Sequence, residues 1–160
     1  MKIKRPPSRS RLSMLAFAVL AVCVPSLQAA QPVGAAQIPE NQLIQPAALH
    51  RELQAGQHPL ILQVGSHMLF DEAHIPGSEY AGPASQPEGL DALRRRVAGL
   101  PRAQPIVLYC GCCPWQHCPN IAPAWLLLHH LGFTRVQALY IAHNFGADWV
   151  SQGYGAQRTP

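Results

Sequence analysis

Beyond Lys4 this chain of 160 residues has no lysine, and only 12% of it is charged, against about 25% in typical soluble domains. A nucleic-acid binder needs a basic stripe or patch. The one run of like charge outside the first residues is Arg94-Arg95-Arg96, which reads as a solvated helix face, so a nucleic-acid partner is not expected. Long apolar runs are missing as well. The stretch 12–27 falls short of the roughly twenty residues that a membrane-spanning helix needs. No internal repeat is evident.

What charge there is lies unevenly. The formal net charge of +4 is set by Lys2, Lys4, Arg5, Arg9 and Arg11. Without them, the remaining arginines Arg51, Arg94, Arg95, Arg96, Arg102, Arg135 and Arg158 face Glu40, Glu52, Asp71, Glu72, Glu79, Glu88, Asp91 and Asp148, and the remainder is near neutral. A positive segment, an apolar stretch and then small residues at Ala29, Ala30, Ala35 and Ala36 form the layout of a secretory signal peptide. Residues 1–30 are therefore expected to be removed, with cleavage as late as 36. No Arg-Arg pair suggests a twin-arginine route. The expected destination is outside the cytoplasm, in the periplasm, with no stable membrane insertion after cleavage. Residues 31–39, rich in Ala, Gln and Pro, read as a linker, and 40–156 as one domain large enough for a core.

Short apolar runs alternate with amphipathic ones. Strands are expected at 59–64, 105–109 and 136–140, and helices at 46–55, 89–100 and 122–131, with a short helix at 147–152. Residues 71–74 read as a short turn or helix leading into the breaker Ile75-Pro76-Gly77-Ser78. This alternation predicts an α/β domain with a mainly parallel sheet, whose ligand site lies beyond the carboxyl ends of the strands.

Four of the five cysteines fall in Cys110-Gly111-Cys112-Cys113-Pro114-Trp115-Gln116-His117-Cys118, directly after the second expected strand. A thiol at a strand end facing a helix N-terminus is placed where the backbone favours its anion, which marks Cys110 as a candidate nucleophile. The alternatives are a buried inert thiol or half of a disulfide. An exported protein meets an oxidising compartment, so disulfide or redox roles for Cys112, Cys113 and Cys118 rank above metal binding. Cys112–Cys118 is one conceivable bridge among three full pairings of the four. The metal alternative would use Cys112, Cys113, His117 and Cys118 to hold copper or zinc, without the paired spacing of a standard zinc site. Trp115 could cover the site or equally pack within the loop, and His143 and Asn144 follow the third strand near the same edge. His74 reads as structural, and His129-His130 as a solvated helix face.

The ordered landmarks resemble the rhodanese-like family. They are Leu60 to Val64, then Glu72-Ala73-His74-Ile75-Pro76-Gly77-Ser78, then Ile106-Val107-Leu108-Tyr109-Cys110. Ala124-Trp125-Leu126-Leu127-Leu128 through Leu131-Gly132-Phe133 follows, and Asn144-Phe145-Gly146 through Trp149 and Gly153-Tyr154 closes the set. The resemblance implies a central, mainly parallel five-stranded sheet flanked by helices. It also implies persulfide sulfur transfer or thiol–disulfide exchange at Cys110. Gly111, Cys112, Cys113, Trp115 and Asn144 would meet the substrate. The partner would be a small sulfur compound or a thiol-bearing protein, with no cofactor. A catalytically inactive scaffold and a metal-binding module are the alternatives. Two departures bear on the substrate. The loop after Cys110 is longer than the family's and carries no Arg or Lys, and Gln63-x-Gly65 stands where the family has Asp-x-Arg. A dianion such as thiosulfate should bind poorly to a loop without a cation.

Overall fold

The computed structural model describes residues 38–160 together with Met1. The expected signal segment, with both of its candidate cleavage points, and nearly all of the linker lie outside the described residues. Ile38, placed in the linker from sequence, is already buried against the core.

The sheet is built from β1 (Leu43–Ile44), β2 (Leu60–Gln63), β3 (Glu79–Tyr80), β4 (Ile106–Tyr109) and β5 (Val136–Leu139). Their order is β1-β5-β4-β2-β3, and every neighbouring pair is parallel. The helices are α1 (Pro46–Gln54), α2 (His67–Glu72), α3 (Pro87–Val97), α4 (Ile121–His130) and α5 (Phe145–Asp148). Strands buried on both faces read as unbroken apolar runs, which is how Ile106-Val107-Leu108-Tyr109 appears.

The two-residue period of a strand sorts these side chains. Leu62, Val64, Ile106, Leu108, Val136 and Ala138 face Leu93 and Val97 of α3 and Ile121, Ala124 and Leu128 of α4. Ile61, Val107, Tyr109 and Leu139 face Leu49 of α1 and Phe145 of α5, along with Trp149. Cys110 continues the parity of Ile106 and Leu108, so its sulfur turns toward the α4 side.

The elements fall close to the expected places, with several differences. Helix α3 begins at Pro87, whose fixed φ suits a first turn, and stops at Val97, two residues before Gly99 with φ +78°. It was expected over 89–100. Residues 67–72 form a helix, starting four residues before the short turn or helix expected over 71–74. The last helix divides into α5 and a 3-10 turn, Val150–Gln152, where one helix over 147–152 was expected. The domain also runs past residue 156. Gln157 exchanges two backbone hydrogen bonds of 2.9 Å with His74, and the Thr159 N–H donates to the Asp71 carbonyl at 3.1 Å.

Arg96 is not simply solvated. Its guanidinium forks onto the Glu79 carboxylate, tying α3 to β3 and holding the Glu79 carboxyl below the usual carboxylate range. His130 is exposed as expected, but His129 is half-buried against the Trp125 ring at 4.0 Å, and that burial lowers its pKa. Among the described residues no helix is long and apolar enough to cross a membrane.

The Ile-Pro-Gly-Ser turn is clamped by Tyr109. The phenol oxygen accepts from the Ile75 N–H at 3.3 Å and shares a proton with Ser78 Oγ at 3.0 Å. Burial pushes this phenol up to about 12. Tyr109→Phe would strand both groups without a partner. A cost of about 1–3 kcal/mol is expected, seen as a lower urea midpoint at unchanged m.

Candidate functional site

The connections leaving β2 and β4 run to opposite sides of the sheet, toward β3 and β5 respectively. A crevice opens where they part, at the carboxyl ends of these two strands. A pocket of about 400 Å3 occupies it, lined by Gln63, Tyr109, Cys110, Gly111 and Cys112 from the strand ends, by Leu69, Glu72 and Ala73 from α2, and by Asn144, Phe145, Gly146 and Val150.

Two glycines bring the backbone close enough to form it. A Cβ on Gly65 would stand 2.7 Å from Cys110 Sγ, so only glycine leaves room for the sulfur at the end of β2. Gly111 has φ +77°, and a Cβ there would lie 2.7 Å from Phe145 Cβ. Its left-handed conformation turns the chain sharply after Cys110. Its carbonyl accepts from the Phe145 N–H at 3.1 Å, which fixes α5 beside the turn.

Gln63 braces the floor. Its Nε2 donates to the Cys110 carbonyl at 3.2 Å and to the Ser66 carbonyl at 3.3 Å, and its Oε1 accepts from the Gly65 N–H at 3.1 Å. The departure Gln63-x-Gly65 is therefore an uncharged substitute for a charged brace. Asn120, a residue that sequence reasoning passed over, does similar work from the other side. It donates to Cys110 Sγ at 3.4 Å and accepts from the Ser85 N–H at 2.9 Å. The Cys118-Pro119-Asn120 segment before α4 was the available signal.

The sulfurs form a chain. Cys110 Sγ, 4% exposed, lies 3.1 Å from Cys112 Sγ, which lies 3.3 Å from Cys113 Sγ. Cys118 is buried beside them, and all four are free thiols. Protonated sulfurs pointing at one anion stabilise it and raise their own pKa values. Cys112 is the recipient. The S–H groups of Cys110 and then Cys118 hold it well below the ordinary thiol range. Cys110 is pushed up, first by donating to Cys112 and further by burial. Cys118 is raised chiefly by its hydrogen bond to Cys110, and Cys113 chiefly by burial. These directions favour a thiolate at the exposed Cys112 over one at the buried Cys110. The sequence placed it on Cys110, cradled by stacked peptide groups; here the Cys112 N–H is the one peptide group lowering Cys110.

The other candidates separate. Gly111, Cys112 and Asn144 share the pocket wall with Cys110. The Asn144 side chain is engaged as the N-cap of α5, accepting from the Ala147 N–H at 2.9 Å. Cys113 and Trp115 do not reach that pocket. They line a separate cavity of about 10 Å3 behind Cys110. Trp115 is core packing against Tyr140, not a lid. His143 is exposed and pairs with Asp148 at 3.0 Å. Burial alone would raise Asp148, but bonds from the His143 N–H and ring outweigh it and hold the carboxyl low. His74 is structural as expected, its Nδ1 bonded to the Phe70 carbonyl at 2.8 Å.

The metal alternative finds little support in the donor arrangement. Among the described residues no group of three or more His, Cys, Asp or Glu is placed to hold an ion. The two short sulfur–sulfur separations are below the roughly 3.8 Å that thiolates keep across one tetrahedral zinc with bonds of about 2.3 Å. Glu72, also missed from sequence, is the only charged residue on the pocket wall among those described.

Comparison with known proteins finds the same fold. The family model for the rhodanese-like domain matches residues 45–140, and the chain belongs to that family. A search of curated proteins returns no match. Among solved structures, the Alr3790 protein from Anabaena sp. is 21% identical with TM-score 0.56, covering 72% of this chain and 82% of its own. A rhodanese-related protein from Thermoplasma volcanium is 19% identical with TM-score 0.53, covering 74% and 99%. Thiosulfate sulfurtransferase from Pseudomonas aeruginosa is 17% identical with TM-score 0.55, covering 76% of this chain and 21% of that one. These identities speak for the fold.

Iodoacetamide alkylation of Cys112, followed by peptide mass, is expected to stay nearly level from about pH 9 to about pH 6. An ordinary thiol of pKa about 8.5 would slow on the order of 10²-fold over that range. Cys110→Ala removes the leading S–H donor and is expected to restore much of that slope.

Proposed function

We propose that this chain is an exported sulfurtransferase-type protein in which Cys110 takes up sulfane sulfur as a persulfide and passes it to a thiol. The observation that carries this reading is the position of Cys110 Sγ. It lies at the carboxyl end of β4 on the wall of the pocket, where the Asn120 amide donates to it at 3.4 Å. The rhodanese-like domain fits chemistry of this type.

The steps follow from that geometry. Cys110 loses its proton, and its thiolate attacks the outer sulfur of a donor R–S–SH. R–S⁻ leaves and takes up a proton, and Cys110 carries the persulfide. An acceptor thiolate then attacks the terminal sulfur and regenerates Cys110. Dividing the transfer into two displacements is the usual benefit of a covalent intermediate.

The pocket narrows the choice of donor. Its wall carries Glu72 and no Arg, Lys or His among the described residues, and Leu69, Ala73, Phe145 and Val150 make much of it apolar. A neutral or zwitterionic persulfide, or a cysteinyl peptide, suits it better than thiosulfate. The second reading is thiol–disulfide exchange by the same cysteine, favoured by the neighbouring sulfurs at 3.1 and 3.3 Å. Export rests on the amino-terminal sequence pattern.

Cys110→Ser is expected to reduce sulfur transfer from a cysteine persulfide to the protein-free rate, measured as sulfane sulfur delivered to an acceptor thiol. Full retention of transfer would overturn the assignment. Glu72→Arg puts a positive side chain in place of a negative one on the pocket wall and is expected to raise kcat/KM for thiosulfate by roughly threefold to tenfold at low salt, and by less at high salt.

A further inference from the structure

Cys112 has a second capacity that depends on where Cys110 Sγ sits. A persulfide has two electrophilic sulfurs. An acceptor that attacks the terminal sulfur carries it away, whereas a thiolate that attacks the inner sulfur expels it as hydrosulfide. The inner sulfur of a Cys110 persulfide is Cys110 Sγ itself, and that atom lies 3.1 Å from Cys112 Sγ. A disulfide bond is about 2.05 Å long, so closure requires a movement of about 1 Å. The left-handed Gly111 between the two cysteines already folds the chain so that both sulfurs meet on one wall.

An external thiol is less well placed for the same atom. Cys110 is 4% exposed, and Gly65, Asn120 and Cys118 pack around it, while Cys112 is exposed to the pocket mouth. An internal thiolate held in contact reacts at an effective concentration that no dissolved thiol reaches.

Resting on the reading of Cys110 as a persulfide carrier, we propose that Cys112 is an internal resolving thiol that discharges the persulfide as hydrosulfide. The step is Cys110–S–SH plus Cys112–S⁻ giving the Cys110–Cys112 disulfide plus HS⁻. The bond between Cys110 Sγ and the terminal sulfur breaks, and the bond between the two cysteine sulfurs forms. The terminal sulfur is reduced from the sulfane to the sulfide level and keeps its proton, while the two cysteines are oxidised together. The site is then closed to further sulfur until a dithiol reductant restores both thiols, itself becoming a disulfide. The output of the protein is accordingly divided. When an acceptor thiol is bound in the pocket, sulfur is transferred. When it is empty, sulfur leaves as hydrosulfide, and each release consumes one equivalent of dithiol. Among the described residues the cavity behind Cys110 is too small, at about 10 Å3, to admit a second thiol compound, so the reductant must approach from the Cys112 side.

The test uses the purified protein, fully reduced, freed of reductant under argon, and mixed with one equivalent of cysteine hydropersulfide. Hydrosulfide is trapped with monobromobimane against a protein-free control, and the chain is weighed and peptide-mapped. The expected result is one hydrosulfide per chain and a protein lighter by two hydrogens, with Cys110 and Cys112 in one linked peptide. Cys112→Ser is expected to release none and to remain heavier by one sulfur atom, a state that also reports that it folds and loads. A wild-type chain that keeps the added sulfur would overturn the proposal. A bridge joining any other pair, or release from Cys112→Ser equal to the wild type, would do the same. If neither protein gains sulfur nor releases hydrosulfide, the persulfide reading of Cys110 fails and this inference falls with it. Loading without release disposes of the inference alone.

Discussion

Much of the site depends on one buried amide. The Gln63 side chain joins the carboxyl end of β2 to the carbonyl of Cys110 and to the turn at Gly65 and Ser66. The Cys110 carbonyl and the Gly65 N–H lie away from water, where an unmatched donor or acceptor costs about 1–3 kcal/mol, and the Ser66 carbonyl is part-buried. A single glutamine satisfies all three and in doing so sets the spacing between the two strand ends. Gly65 is then close enough to Cys110 Sγ that no side chain could replace its hydrogen. The pocket exists because two strands are held at this separation, and the sulfur occupies it because the chain parity of β4 points it there.

The amide is neutral, and that has an electrostatic result. A charged brace would place a fixed field beneath the sulfur. With Gln63 in that position and no cation on the pocket wall among the described residues, the thiols are left to stabilise a negative charge among themselves. Three S–H groups and one anion make a compact proton-sharing group. Within it a charge is favoured on the member with most access to water, and the buried member becomes reactive as its proton moves. Reactivity at Cys110 is therefore coupled to the state of Cys112 in a way that a solitary strand-end thiol would not show.

The features readable from sequence are those whose signals are local. The apolar runs of β2 and β4 stand between Pro and Gly, that of β5 follows Gly132, and α1 and α4 have their own stop signals, so the parallel α/β plan and the strand-end position of Cys110 follow from short stretches. The strands β1 and β3 have two residues each, too few to show any period, and were supplied by family resemblance alone. Helix α2 has no buried residue and hence no apolar stripe to betray it. The site's unexpected members are joined across long separations. Asn120 links to Ser85 and Cys110, Gln63 to Cys110, and Glu72 reaches the pocket only because α2 folds over it. Trp115 shows the converse: an aromatic between prolines fitted a cover and loop packing equally, and the fold uses it as interior volume.

The pairing of Gln157 with His74, and of Thr159 with Asp71, staples the segment 155–159 to the same stretch of chain that supplies Leu69, Glu72 and Ala73 to the pocket. Trp149 adds a stitch of 2.6 Å to the Gly155 carbonyl. Anything appended beyond residue 160, whether an affinity handle or a fused partner, would thus hang from the rim of the reactive cleft. A handle of that kind would sit in the path of incoming thiols, and one placed ahead of residue 38 would leave this staple untouched.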